Sequence, residues 1–419
     1  LEEGADRWAA ACYQGMFPSH MFDELGLDGK HWFGLADPHN SDSFNLMRGA
    51  ILHADKVSTV SENYASEILT STFGAGLDGV LRDRIYDLLG IINGIDINPA
   101  DVEGSDARAK HKAALQKEFS GKFGFQKDSS LPLLAMATSR ITSQKNNLMT
   151  LRVVERLLKE TKGGIQFILL GKGHPDDPYF IQVAEYVERL AREWPGKVGF
   201  CYSSERKLTT MIFKGADMFL MPSTYEPCGL AQMVALSFGA VPIVRRTGGL
   251  ADTVKEFNPY TKEGNGFLFS NIDDDEFFDA IKRAVSIYHM PTLWKIIIEN
   301  AQKEDRSWES SANKYIELYF NSMRRKIRHG VDVAAMVAEE LGGNTTDTPL
   351  KPFAPLVGTG LSYSDLRFND ELEVSLDVKS SGDRFTPEGP AANLFAILLD
   401  ASLAALESLV ATSNDQALQ

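Results

Sequence analysis

"DMFLMPSTYEPCGLAQM", residues Asp217 to Met233, runs from an apolar strand pattern through a turn into an apolar helical pattern, and it sets one carboxylate, Glu226, at the handover. A strand that passes to a helix in this way is one half of a βα unit. The alternation extends on both sides of it, from residue 131 to 270. "LPLLAMAT" (131–138), "IQFILLG" (165–171), "KVGFCY" (197–202), "DMFLMPS" (217–223) and "VPIVRR" (241–246) are short apolar or β-branched runs ending in turn-forming or polar residues, and each predicts a buried strand. Between them, "NNLMTLRVVERLLKET" (146–161) carries Leu148, Leu151, Val154, Leu157 and Leu158 at helical spacing, and "PYFIQVAEYVERLAREW" (178–194) repeats the pattern with Ile181, Val183, Ala184 and Val187. Strand and helix alternating like this predict an α/β domain whose parallel sheet is covered on both faces. Ligands of such sheets bind beyond the carboxyl ends of the strands.

A shorter α/β piece comes first: "ADKVSTVS" (54–61) reads as a strand, "ENYASEILTST" (62–72) as a helix and "YDLLGIINGID" (86–96) as a strand closing on Gly94 and Asp96. That is too little for a whole domain. Residues 1–96 are therefore expected to be the end of an N-terminal domain, 97–130 a connecting segment, and 131–330 the main domain, closed by helices at 273–288 and 308–325. Residues 331–419 form a linker and tail. Gly, Thr and Pro crowd "LGGNTTDTPLKPFAPLVGTG" (341–360), which marks the linker. The tail has one alternating stretch, "LRFNDELEVSLDV" (366–378), and one apolar helical stretch, "AANLFAILLDASLAALESLV" (391–410), with no recognisable chemistry.

Composition narrows the function classes. With 419 residues, 43% apolar and 24% charged, the chain can bury a substantial core. Its 57 Asp and Glu against 43 Lys and Arg give a formal charge of −14, which disfavours a nucleic acid partner. No apolar run reaches the ~18 residues of a membrane-spanning helix. Cys12, Cys201 and Cys228 have no metal-type spacing and are too few for a disulfide framework, which fits a reducing compartment. The expected setting is the cytoplasm, or the plastid if the source is a plant or alga. Because the chain opens on Leu1 in helical-looking sequence, its biological start is expected to lie upstream.

Three strand ends of the main sheet carry chemistry. Glu226 follows "DMFLMPS", where a helix beginning near Cys228 would point its amides at the same spot; its structural alternative is an acidic first-turn residue stabilising that helix. Thr247, Gly248 and Gly249 follow "VPIV", where bare backbone amides can approach phosphate oxygens, or where an ordinary turn needs glycine. Arg140 closes "LLAMAT" with Lys145 five residues on, a pair able to neutralise a departing diphosphate, or else a solvated charge pair. Asp273, Asp274 and Asp275 open an amphipathic helix, which explains them without a metal.

Together "YQGMFP" (13–18), "DKVSTVSENYASEI" (55–68), "FGAGLDGVL" (73–81), "GIINGID" (90–96), "SRITSQK" (139–145), "STYEPCGL" (223–230), "VRRTGGLADTV" (244–254) and "SWESSANKYIELY" (307–319) resemble the bacterial glycogen synthase and plastid starch synthase family of retaining glycosyltransferases. The resemblance implies a GT-B fold in which the C-terminal Rossmann-like domain holds a nucleoside diphosphate glucose, ADP-glucose rather than UDP-glucose, and the N-terminal one holds an α-1,4-glucan acceptor. No metal or cofactor is implied. Carried over by position, Glu226 stabilises positive charge on the glucosyl ring, Arg140 and Lys145 grip the diphosphate, and Asn93 reaches in from the N-terminal side. Cys228, Gly229 and Leu230 present amides to glucose hydroxyls, and Tyr202 packs on the base; the structural alternative for Tyr202 is a half-buried strand end. The family's Lys-x-Gly-Gly-Leu motif is absent, and Ala9 and Ala10 stand where it carries His-Asn. These departures keep open an alternative: an N-terminally incomplete, inactive homologue that binds glucan or nucleotide as a partner of active synthases.

Overall fold

The structure, a computed structural model, describes residues 14–27, 29–97, 101–104, 107–328, 366–368 and 374–376. They fall into two compact units divided between Ser307 and Trp308. The first opens with short elements: β1 (Met16–Pro18) pairs antiparallel with β2 (Ser43–Asn45), α1 (Trp32–Leu35) lies between them in sequence, and α2 (Leu46–His53) follows. Next, β3 (Val57–Thr59) pairs parallel with β4 (Leu88–Gly90), and α3 (Glu62–Glu67) and α4 (Asp78–Asp83) connect them. The predicted strand, helix and strand are all present, though each strand is only three residues long. Ser61 starts α3 by accepting a hydrogen bond from the Tyr64 amide, 2.9 Å away.

The main sheet has six parallel strands: β5 (Leu133–Arg140), β6 (Gln166–Lys172), β7 (Val198–Cys201), β8 (Met218–Met221), β9 (Val241–Arg245) and β10 (Phe267–Phe269). Five match the predicted runs. The sixth, β10, has three residues, too few for a periodicity to show. Around the sheet lie α5 (Arg108–Phe123), α6 (Asn147–Glu160), α7 (Pro178–Glu193), α8 (Arg206–Gly215), α9 (Ala231–Ser237), α10 (Gly248–Thr253), α11 (Asp274–Tyr288) and α12 (Pro291–Lys303). Alternation along β5 sends Leu134 and Met136 into a core with Leu151, Val183 and Phe277, while Leu133 and Ala135 enter a second core with Leu115, Ile212 and Leu236. Both faces are therefore covered, each fully buried Leu, Ile or Phe contributing about 1.5 to 3 kcal/mol.

Residues 97–130 hold more than a connection. α5 lies in that span and packs Leu115 and Phe119 under the sheet. Its buried stripe also carries Arg108, Lys112 and Gln116 at four-residue spacing, so polar side chains break the apolar period that would have revealed it. The Lys112 ammonium lies 2.7 Å from Asp217 Oδ2 and donates to Leu131 O and the Tyr288 hydroxyl. Asp273 caps α11, accepting from the amides of Asp275 and Glu276 at 2.9 and 3.0 Å, the helix-opening role expected for the acidic run.

The strand order is β10-β9-β8-β5-β6-β7. From β5 the chain winds outward through β6 to β7, returns across the sheet to β8, and winds outward the other way. The order thus reverses between β5 and β8, where a crevice opens beyond the carboxyl ends.

The second unit contains α13 (Trp308–Arg328) and an antiparallel pair, β11 (Leu366–Phe368) with β12 (Val374–Leu376), inside the alternating tail stretch. The linker at 341–360 and the apolar stretch at 391–410 lie outside the described residues. Among the described residues no helix is long and apolar enough to cross a membrane.

Candidate active site

The loops after β5 and β8 meet at the reversal. Beyond Arg140 the chain makes a single 3-10 turn, Ser143–Lys145, and Asn146 takes a left-handed conformation (φ 53°) before α6. This kink directs two side chains across to the other loop: Gln144 Nε2 donates to Tyr225 O at 3.0 Å, and Asn146 Nδ2 donates to Pro222 O at 2.7 Å. The Thr224 amide returns a bond to Gln144 O at 2.8 Å. With the loops fixed to each other, Lys145 Nζ stands 2.5 Å from Glu226 Oε2. The Ser223 hydroxyl donates to the same oxygen at 3.0 Å. The Glu226 side chain is 10% exposed, so the pair is largely removed from water and is held by defined partners.

The helix after this turn begins later than expected. α9 starts at Ala231, leaving Glu226 five positions upstream and Cys228 to Leu230 in the turn itself. Glu226 is therefore no first-turn helix residue. Gly229 has φ +68°, and a Cβ there would stand 2.5 Å from Gln232 Oε1 and 3.0 Å from Glu226 Cγ, so only glycine fits. Among the described residues the Gly229 and Leu230 amides donate to no partner. Gln232, unmarked in the sequence, braces the turn from below, its Nε2 donating to Gly229 O at 2.8 Å and Cys228 O at 3.1 Å.

Asn93 reaches this turn from the loop after β4. Burial raises the Cys228 thiol to about 12, against a hydrogen bond from the Asn93 backbone that favours the thiolate. Burial thus holds Cys228 as the neutral thiol, and the thiolate is the reactive form. Iodoacetamide at pH 8 is accordingly expected to label Cys228 at least about a hundredfold more slowly in the folded chain than in urea. Equal rates in peptide mapping would contradict its burial.

The Thr247–Gly249 turn has a different immediate task from the one its sequence suggested. The Gly248 amide donates to Glu67 Oε1 at 2.9 Å, and the Gly249 amide to Glu226 O and Pro227 O at 3.0 and 3.1 Å, so neither faces outward in this conformation. A Cβ on Gly248 would lie 1.9 Å from Glu226 O, and one on Gly249 2.0 Å from Cys228 O. The glycines allow one turn to lie directly on the other. Arg245, at the end of β9, is buried beneath them, with Nε donating to Ser223 O at 2.8 Å and Nη2 to Thr224 O. Burial lowers its pKa, and the Glu67 carboxylate pulls it back up.

Arg140 is exposed at the end of β5, with no carboxylate partner among the described residues. Tyr202 stands apart, just past the end of edge strand β7, with β6 between that strand and β5. Its ring packs on Phe180 and Phe200 at 5.2 and 5.0 Å between centroids, and 36% of it is exposed. The structure thus gathers Lys145, Glu226, Cys228, Gly229, Gly248, Gly249 and Asn93 around one turn and leaves Tyr202 at the sheet's edge. Sequence reasoning missed Gln144, Asn146, Ser223, Arg245 and Glu67. Of these, Ser223 and Asn146 carried a signal, as residue types favoured in turns beside an ionised site.

A family model described as starch synthase catalytic domain matches residues 10–83, and one described as glycosyl transferases group 1 matches residues 122–304. The glycogen synthase of Geobacillus thermodenitrificans is 39% identical over 327 residues, covering 75% of this chain and 64% of that protein. That of Fusobacterium nucleatum is 37% identical over 308 residues, covering 73% and 64%. Among solved structures, the catalytic domain of starch synthase IV from Arabidopsis thaliana, bound to ADP and acarbose, aligns with a TM-score of 0.65 at 31% identity. That alignment covers 74% of this chain and 65% of the other. The chain spans about 64% of the length of the curated relatives it matches.

Proposed function

Because this chain belongs to the glycogen synthase and starch synthase family, with a GT-B fold, we propose that it transfers α-glucose from a nucleoside diphosphate glucose to the non-reducing end of an α-1,4-glucan with retention. One observation carries the reading: the 2.5 Å pair of Lys145 and Glu226 lies at the point where the strand order reverses. There the C1–O bond of the donor breaks and its electron pair leaves on the diphosphate, while an acceptor hydroxyl oxygen bonds to C1 from the same face and gives its proton to the departing diphosphate oxygen. Arg140 and Lys145 meet that negative charge, while Glu226 faces the positive charge left on the ring. Lys145 shifts from Glu226 toward a diphosphate oxygen as the donor arrives, and the Gly229 and Leu230 amides receive glucose hydroxyls. Asn93 closes the site from the glucan side, and Tyr202 stacks on the base. ADP and acarbose in the starch synthase IV relative support ADP-glucose as donor and a glucan as acceptor, and bacterial relatives support a cytoplasmic setting.

Calorimetry with ADP tests the donor site. Lys145→Ala is expected to weaken ADP binding by about 1.5 to 3 kcal/mol, since a hydrogen bond to a charged oxygen is lost and Glu226 is left unpaired beside the phosphates. An unchanged Kd would remove Lys145 from the donor site. ADP binding without glucose transfer would select the non-catalytic alternative.

A further inference from the structure

Glu67 ends α3, far from the β5 and β8 loops in sequence, yet its carboxylate lies on the glycine turn beside them. Oε1 accepts from the Gly248 amide at 2.9 Å and from the Thr247 hydroxyl at 3.0 Å, and Asn63 Nδ2 steadies the same oxygen at 2.9 Å. The start of α3 is fixed to the same short helix: the Ser61 hydroxyl donates to Asp252 Oδ2 at 2.6 Å, and the Asn63 amide donates to it at 3.1 Å. α3 therefore holds α10 at both ends. α10 in turn lies on the turn bearing Glu226, through the Gly249 amide and through backbone contacts too close for any Cβ. No side chain intervenes to absorb a shift between the two turns.

We infer that Glu67 is a positioning residue, by which the segment before residue 97 sets the placement of the Glu226 carboxylate through the Gly248–Gly249 turn. The inference rests on the reading of Glu226 as the carboxylate that faces the glucosyl ring. Its chemistry is geometric. A carboxylate acting on developing charge works within a fraction of an ångström, and a misplacement of about 1 Å can cost a hundredfold in rate. Seating of the glucan-side segment is thereby coupled to the donor side of the cleft without contact between Glu67 and either substrate.

The test compares the full chain with Glu67→Ala and Glu67→Gln, by amide hydrogen exchange and by glucose transfer to glycogen. Glu67→Ala is expected to speed exchange by about tenfold in peptides covering both 247–254 and 226–233, with β5 and β6 still protected. It should lower kcat by about tenfold to a hundredfold and leave the KM for ADP-glucose within about twofold. Glu67→Gln keeps an acceptor for the Gly248 amide and is expected within about threefold of the parent in both readouts. Unchanged exchange in 226–233 for Glu67→Ala overturns the inference. So does a Gln variant as impaired as Ala, since the effect would then follow charge and not placement. If the parent transfers no glucose, the exchange result still decides the coupling, and the failure belongs to the proposed reaction.

Discussion

Glu226→Gln is expected to lower glucose transfer at saturating donor by about two to three powers of ten, the size of an electrostatic contact made mainly in the transition state. The substitution keeps the shape of the side chain and an oxygen for the Ser223 hydroxyl, so the turn should retain its form. What disappears is the charge proposed to face the ring, and with it the partner of Lys145. ADP binding should hold or tighten, because Lys145 no longer has to leave a carboxylate to reach the diphosphate. A purely structural carboxylate would behave otherwise, losing stability through the broken ion pair while turnover held. A Gln variant with more than about a tenth of the parent rate would end the catalytic assignment.

Lys112→Ala is expected to destabilise the fold by about 3 to 5 kcal/mol, measured by urea denaturation, because it leaves a buried carboxylate unpaired. Asp217 Oδ2 pairs with the Lys112 ammonium at 2.7 Å and accepts from the Leu133 amide at 2.8 Å, so one carboxylate ties α5 to the starts of β5 and β8. The Lys112 and Asp217 side chains are 5% and 10% exposed, too little for water to replace the ammonium. Lys112→Met retains most of the packing but not the charge, and should lose nearly as much. A loss below about 1 kcal/mol would mean that the pair behaves as a solvated one.

The five longer strands were legible because most side chains on a doubly covered strand are apolar, which leaves a near-continuous run. α6 and α7 were legible because each has one wet face. α5 was hidden by the charges it buries, and β10 by its length. At the site, chemistry was easier to read than geometry. Glu226, Lys145 and the glycine pair stood out by residue type and by position at strand ends, but the sequence held nothing to show that Glu67 would take the Gly248 amide. That bond joins residues 181 positions apart, and only the packed fold brings them together. The start of α9 differs from the sequence reading for a related reason: the Gly249 amide, from far along the chain, takes Glu226 O and Pro227 O, and the Gln232 side chain takes Cys228 O and Gly229 O, so the turn is held by bonds other than helical ones.

The reversal of strand order that makes the site also governs how the chain comes to be folded. Lys145 and Glu226 are separated by 81 positions, and β5, at the middle of the sheet, pairs on one side with β6, the next strand made, and on the other with β8. During synthesis the second edge of β5, "LLAMAT", remains open until Met218–Met221 has emerged from the ribosome. An apolar edge of this kind is a template for another chain. The interval before β8 docks is thus the window in which a nascent or refolding molecule can aggregate, and the active crevice cannot exist until that window has closed.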